Sequence, residues 1–162
     1  MLAQRRLAAL ALRAPRAVSS CGRRRCLATA PPSPHLIIGT YSIDTGYATG
    51  HAHGAYIAAL DAATGALTLV GSATGPDIGT NPAYAAHCSA KNAVYFTNEV
   101  VDGVIKAYSL SEDGALRFTN EMPSGGEGPC FIAVAPGDEG NVYCGTTVCL
   151  SRVLAIAPPP PL

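Results

Sequence analysis

Seven carboxylate or imidazole side chains stand in the connections 42–53, 74–81, 99–102 and 123–128 between the apolar runs of this sequence: Asp44, His51, His53, Asp77, Glu99, Asp102 and Glu127. A carboxylate at a strand end, as Glu99 is placed, can act as a general acid or base if a pocket shields it. The same residue type is equally suited to a solvated turn. His51-Ala-His53 offers two imidazoles, but no third ligand lies nearby and no Cys-x-x-Cys pair occurs. Zinc takes three or four protein ligands, so no metal and no other cofactor are expected. Gly125-Gly126-Glu127-Gly128 could turn backbone N–H groups toward an oxyanion or phosphate, or simply bend the chain into its next strand. No helix follows it, which excludes a phosphate-binding P-loop. Of the six cysteines, Cys88, Cys130 and Cys144 fall in strands, Cys149 follows shortly after, and all read as free thiols.

The elements that must position these groups are short strands. Between Pro82 and Pro129 lie four apolar runs, 83–88, 93–98, 103–110 and 115–122, joined by polar or Gly-rich turns. Such spacing is an all-β signature. The unit repeats: Gly54-Ala-Tyr-Ile-Ala-Ala-Leu-Asp61 with Thr64-Gly-Ala-Leu-Thr-Leu69 returns as Gly103–Leu110 with Asp113-Gly-Ala-Leu-Arg-Phe118, 49 residues on. Pro82 with Val94-Tyr95 returns as Pro129 with Val142-Tyr143. A period near 48 residues with four strands per unit predicts β-propeller blades. The expected fold is therefore all-β, a partial propeller of about two and a half blades. Residues 35–81 form a three-strand blade, 82–128 a complete one and 129–147 the start of a third.

Strand alternation sorts the connections onto two faces. One face receives the short turns 62–65, 89–92, 111–114 and 136–140. The other receives 42–53, 74–81, 99–102 and 123–128, three of them long and Gly-rich. Binding residues concentrate on loops held by a rigid scaffold, so the second face is the expected site face.

The ends differ from this pattern. Residues 1–34 carry seven arginines and no acid, with Leu2, Leu7, Leu10 and Leu12 interleaved, so a basic amphipathic helix can form there. Such a leader has the composition of a transit peptide for a mitochondrion or plastid; the alternative is a disordered basic tail on a cytoplasmic chain. From His35 onward four cations face eleven acids, a net of 4 − 11 = −7. An acidic body argues against a nucleic-acid partner, and no apolar run is long enough to cross a membrane. Residues 148–162 lack the turn that would open a further strand and end in four prolines, which cannot donate to a ladder. Nine strands are too few to close a ring, so the sequence reads as cut short, with unpaired strand edges that invite self-association.

Ile38-Gly-Thr-Tyr41, Ala63-Thr-Gly-Ala-Leu-Thr-Leu69, Tyr95-Phe-Thr-Asn-Glu99 and Pro123-Ser-Gly-Gly-Glu-Gly-Pro-Cys130 occur in that order at blade spacing. Together they resemble the opening of the lactonase-family seven-bladed propeller, which includes bacterial-type 6-phosphogluconolactonases and fungal carboxymuconate cyclases. The resemblance implies lactone hydrolysis or cycloisomerisation of a small-molecule lactone such as 6-phosphogluconolactone. It places Asn98, Glu99, Gly126, Glu127 and Gly128 as candidate pocket residues, with no catalytic role fixed for any of them. Phe131 stands where the family usually has a histidine after Gly-Pro-Cys. No Arg or Lys lies in the site-face loops to hold a phosphate. The alternative expectation is a non-catalytic propeller fragment serving as an interaction module.

Overall fold

The computed structural model describes residues 34–111, 114–135 and 138–147, together with the backbone of two short strands at 9–11 and 152–154. No helix occurs among the described residues. The strands are β1 (Ala9–Ala11), β2 (His35–Ile38), β3 (Gly54–Leu60), β4 (Leu67–Thr74), β5 (Pro82–Cys88), β6 (Ala93–Asn98), β7 (Val104–Leu110), β8 (Leu116–Pro123), β9 (Pro129–Ala135), β10 (Asp138–Thr146) and β11 (Arg152–Leu154). They form three antiparallel sheets in the orders β1-β2-β3-β4, β5-β6-β7-β8 and β9-β10-β11. Each strand pairs with its neighbour in sequence except across the two sheet-to-sheet connections, the meander of successive propeller blades. The expected all-β partial propeller is what the chain forms.

The blades pack face against face. Ile37, Ala55 and Ile57 of the first sheet meet Ala85, Val94, Phe96, Tyr108 and Leu110 of the second, with Ile78 of the intervening loop sealing the edge. Ala86, Ala93, Tyr95, Ile105 and Ala107 on the second sheet's other face meet Ile132, Val142 and Cys144 of the third. The alternation of strand side chains assigns successive residues to opposite interfaces. That is why all six residues of β6, covered on both sides, are buried. Burying side chains the size of Phe96 or Ile57 contributes about 1.5–3 kcal/mol each. The first two sheets also touch by backbone. Thr40 N–H donates to Pro82 O at 2.8 Å, and a Cβ on Gly39 would stand 2.6 Å from the Pro82 and Ala83 carbonyl oxygens. Only glycine permits that approach.

Three features depart from the sequence reading. The first sheet has four strands where three were expected, because Ala9–Ala11 of the arginine-rich leader pairs antiparallel with Leu36–Ile38. The leader is therefore not helical at residues 9–11; its remainder lies outside the described residues. An uncovered edge of β2 would leave backbone donors and acceptors unpaired, and a short apolar segment satisfies them. The third sheet likewise gains β11, with Tyr143 opposite Val153. Among the described residues there are thus eleven strands where nine were expected; the terminal prolines lie outside the described residues. The third departure is the repeat offset. Leu60 pairs with Leu67 and Leu110 with Leu116, so β3 and β7 correspond at 50 residues, one more than the glycine match. A loop absorbs the extra residue without disturbing the sheet.

Candidate functional site

The four site-face connections converge at one end of the sheets, as the parity of the connections requires. They enclose a cleft of about 310 Å³ lined by Ile43, Asp44, Thr45 and Tyr47 of the β2–β3 loop and Asn81 of the β4–β5 loop. Glu99, Val100 and Val101 of the β6–β7 turn, Glu127 and Gly128 of the β8–β9 loop, and Thr147 complete the wall. This is the lower end of the size range for small-molecule pockets.

Glu99 is the best-defined group in it. Although charged, it is buried, and burial of a carboxylate requires partners. The Tyr41 hydroxyl donates to Oε2 at 2.7 Å and the Tyr47 hydroxyl donates to Oε1. The two rings meet edge to face with centroids 6.3 Å apart. Burial first, then the adjacent carboxylate, push both phenols above their ordinary value, so both stay protonated and donate. A carboxylate has about four lone-pair positions, and two phenols leave capacity for a water.

Asn81 holds this arrangement together. It is fully buried and sits at φ 48°, a left-handed conformation that Asn tolerates better than other side chains. Its Oδ1 accepts from the N–H groups of Ser42 at 2.8 Å and Ile43 at 3.0 Å. Its Nδ2 donates to Glu99 O at 3.3 Å, and the Glu99 N–H returns to Asn81 O at 2.9 Å. One side chain thereby ties the loop carrying the tyrosines to the turn carrying the carboxylate.

Of the five candidate residues, Glu99, Glu127 and Gly128 line the cleft. Asn98 lies beneath it: its Nδ2 donates to Ile78 O at 2.8 Å and Thr80 O at 2.7 Å, pinning the β4–β5 loop. Gly126 faces the third sheet, where a Cβ would meet Thr146 Oγ1 at 2.6 Å. Protein acceptors take two donors of the glycine-rich loop: Gly128 N–H donates to Val100 O of the β6–β7 turn at 3.0 Å and Gly126 N–H to Ser124 Oγ at 3.4 Å. The loop does not form an anion nest with those two groups. His51 and His53 are exposed, and no cluster of three or more His, Cys, Asp or Glu suited to a metal occurs among the described residues. Sequence reasoning missed Tyr41, Tyr47 and Asn81 as functional positions. The Asn81-Pro82 dipeptide was the available signal, since it marks a turn; nothing local pointed Tyr41 and Tyr47 at a residue more than fifty positions away.

Residues 35–144 match the family described as lactonase, seven-bladed β-propeller. The chain belongs to that family. Solved structures agree in fold. A Lactobacillus plantarum protein superposes with a TM-score of 0.61 at 25% identity, over 78% of this chain and 34% of its own. A Bacteroides uniformis protein, provisionally named a 6-phosphogluconolactonase, gives 0.54 at 26% identity over 68% and 29%. The periplasmic gluconolactonase of Pseudomonas aeruginosa gives 0.56 at 18% identity over 68% and 30%, a likeness of fold alone. This lactonase-family chain spans about a third or less of the length of those structures. No curated protein sequence matches it.

Proposed function

We propose that the chain supplies part of a lactone-hydrolysing site, with Glu99 as general base. The observation that carries the reading is a buried carboxylate, held by two tyrosine hydroxyls, at the wall of a cleft on the site face of a lactonase-family propeller. Glu99 would take a proton from a water as the water oxygen attacks the ring carbonyl. The ring C–O bond then breaks, and the ring oxygen leaves with a proton to give the hydroxy acid. Tyr41 and Tyr47 fix the direction of the carboxylate in this scheme.

The charge of the cleft bears on the substrate. Asp44, Glu99 and Glu127 line it, and none of the lining residues is Lys or Arg. Lys106, the cation of the described sheet nearest the loops, is committed to Glu121 at 2.8 Å and to Pro76 O at 3.3 Å. A phosphate would be repelled rather than clamped. We therefore favour an uncharged sugar lactone over 6-phosphogluconolactone. The test is hydrolysis of both by the purified chain under pH-stat titration. The expected result is a kcat/KM at least tenfold higher for the uncharged ring, about 1.4 kcal/mol of transition-state preference. Faster turnover of the phosphorylated lactone refutes the substrate assignment, and no turnover of either refutes the enzyme reading for this chain. The arginine-rich leader supports import into a mitochondrion or plastid. Cleavage after residue 34 would remove β1, so N-terminal sequencing of the mature organellar protein tests that proposal; an intact Met1 or Leu2 end contradicts it.

A further inference from the structure

We infer that Tyr47 is the general acid of the hydrolysis proposed above, delivering the proton that the ring oxygen takes as it leaves. The inference rests on the lactone-hydrolysing reading and gives one of the two phenols a role beyond holding Glu99.

The two tyrosines are not equivalent. They hold opposite oxygens of the Glu99 carboxylate, Tyr41 on Oε2 and Tyr47 on Oε1. Tyr47 lines the cleft and is 56% exposed, whereas Tyr41 is half-buried and does not line it. Only the Tyr47 hydroxyl therefore stands between the carboxylate and the space a substrate would fill. The β2–β3 loop sets that position. Thr45 N–H donates to Ala48 O at 2.9 Å and Ala48 N–H to Thr45 Oγ1 at 3.1 Å, closing a turn around Tyr47. The Tyr41 ring then supports the Tyr47 ring edge to face.

Electrostatics separate the pair further. Burial first, then Glu99, raise both phenols. For Tyr47, hydrogen bonding with the Thr45 and Tyr41 hydroxyls works the other way and favours its ionised form. For Tyr41, the same contact with Tyr47 adds to the rise. Tyr47 is thus the phenol of the two better supported when it gives up a proton. After burial, what holds the proton on Tyr47 is the negative charge of Glu99, and that charge vanishes once Glu99 takes a proton from water.

The order of proton movements follows. While Glu99 is ionised, Tyr47 donates to it. When Glu99 has taken a proton from the attacking water, its carboxyl group can donate to the Tyr47 oxygen, and the tyrosine hydrogen can turn to the ring oxygen. The tetrahedral intermediate then collapses with cleavage of the ring C–O bond. Tyr47 gives its proton to the ring oxygen and recovers one from Glu99. One water is consumed, one hydroxy acid forms, and both side chains return to their starting states.

The test follows hydrolysis of an uncharged sugar δ-lactone in water labelled with heavy oxygen, by the purified parent chain and by Tyr47→Phe, Tyr41→Phe and Glu99→Gln. Unreacted lactone is recovered and its label measured above the uncatalysed background. Tyr47→Phe should lower kcat about 100-fold. It should also place label in the recovered lactone, because water still attacks but the intermediate reverts when the ring oxygen has no proton donor. Tyr41→Phe should lower the rate less and leave the lactone unlabelled, and Glu99→Gln should abolish attack and give no label. Thermal unfolding checks each fold; Tyr47→Leu, which also lacks the donor, is the second variant if Tyr47→Phe does not fold. An unchanged rate in folded Tyr47→Phe overturns the inference, as does a slower rate without label, and both leave Glu99 as base. A parent chain that hydrolyses no lactone overturns the lactone reading and the inference together.

Discussion

The second sheet and the first share strand order, hairpin register and apolar alternation, yet a described sheet covers both faces of the second and one face of the first. Their outermost strands show the difference in degree: β4 exposes Leu69 at 65%, whereas Phe118 of β8, its counterpart, is 39% exposed. The difference does not lie in the sheets themselves. It lies in what stands beside them, so a covered apolar position is worth more than its uncovered counterpart.

The largest test of that contrast is Tyr95→Ala, which leaves a cavity between the second and third sheets and should cost about 3–5 kcal/mol by urea denaturation. Leu69→Ala, under conditions that keep the chain monomeric, should cost less than about 1 kcal/mol. Equal costs would show that the first sheet's outer face is covered within the monomer. Tyr95→Phe sharpens the same comparison. The Tyr95 hydroxyl is buried without a hydrogen-bond partner, so its removal should be neutral or stabilising; a loss of more than about 1 kcal/mol would mean that the hydroxyl has a partner.

Next in size is Asn81→Ala. It strands the Ser42 and Ile43 N–H groups and should cost about 2–3 kcal/mol, with accelerated hydrogen exchange confined to 42–53 and 99–102. Exchange spreading evenly through all three sheets would contradict its role as a local tie. A smaller effect comes from His87, half-buried on β5, whose imidazole burial pushes below its ordinary value. The unfolded chain then binds the proton more readily than the folded one, so stability is complete above about pH 6.5 and falls as the pH drops below it. His87→Gln should flatten that part of the stability–pH curve, and an unchanged slope would assign it to other groups. The smallest effect is kinetic. Burial raises the Cys144 thiol to about 11, while Cys130 is exposed. A thiol reagent at neutral pH should label Cys130 well before Cys144 in the folded chain, and equal labelling would show the second interface to be open.

Much of this was legible in the residues. The Gly54/Gly103 and Tyr95/Tyr143 repeats encode the blades because each blade solves the same packing problem. The loop parity that gathers 42–53, 74–81, 99–102 and 123–128 at one end follows from strand alternation alone. Two parts could not be read. Ala9–Ala11 is too short and too unlike a strand to announce itself; an open edge on β2 recruits it. The tyrosine clamp on Glu99 joins positions more than fifty residues apart and depends on the path of one loop, which Asn81 sets through tertiary hydrogen bonds. Local sequence carries the sheets, and long-range contacts carry the site.

The most direct measurement is the rate of hydrolysis of an uncharged sugar δ-lactone by the Glu99→Gln variant beside the parent chain, with thermal unfolding recorded for both. Glutamine keeps an oxygen for one phenol but cannot take a proton from water. The account predicts matching unfolding transitions and a fall in kcat of about 100-fold or more. An unchanged rate in a folded variant would contradict it and move the chemistry away from this carboxylate.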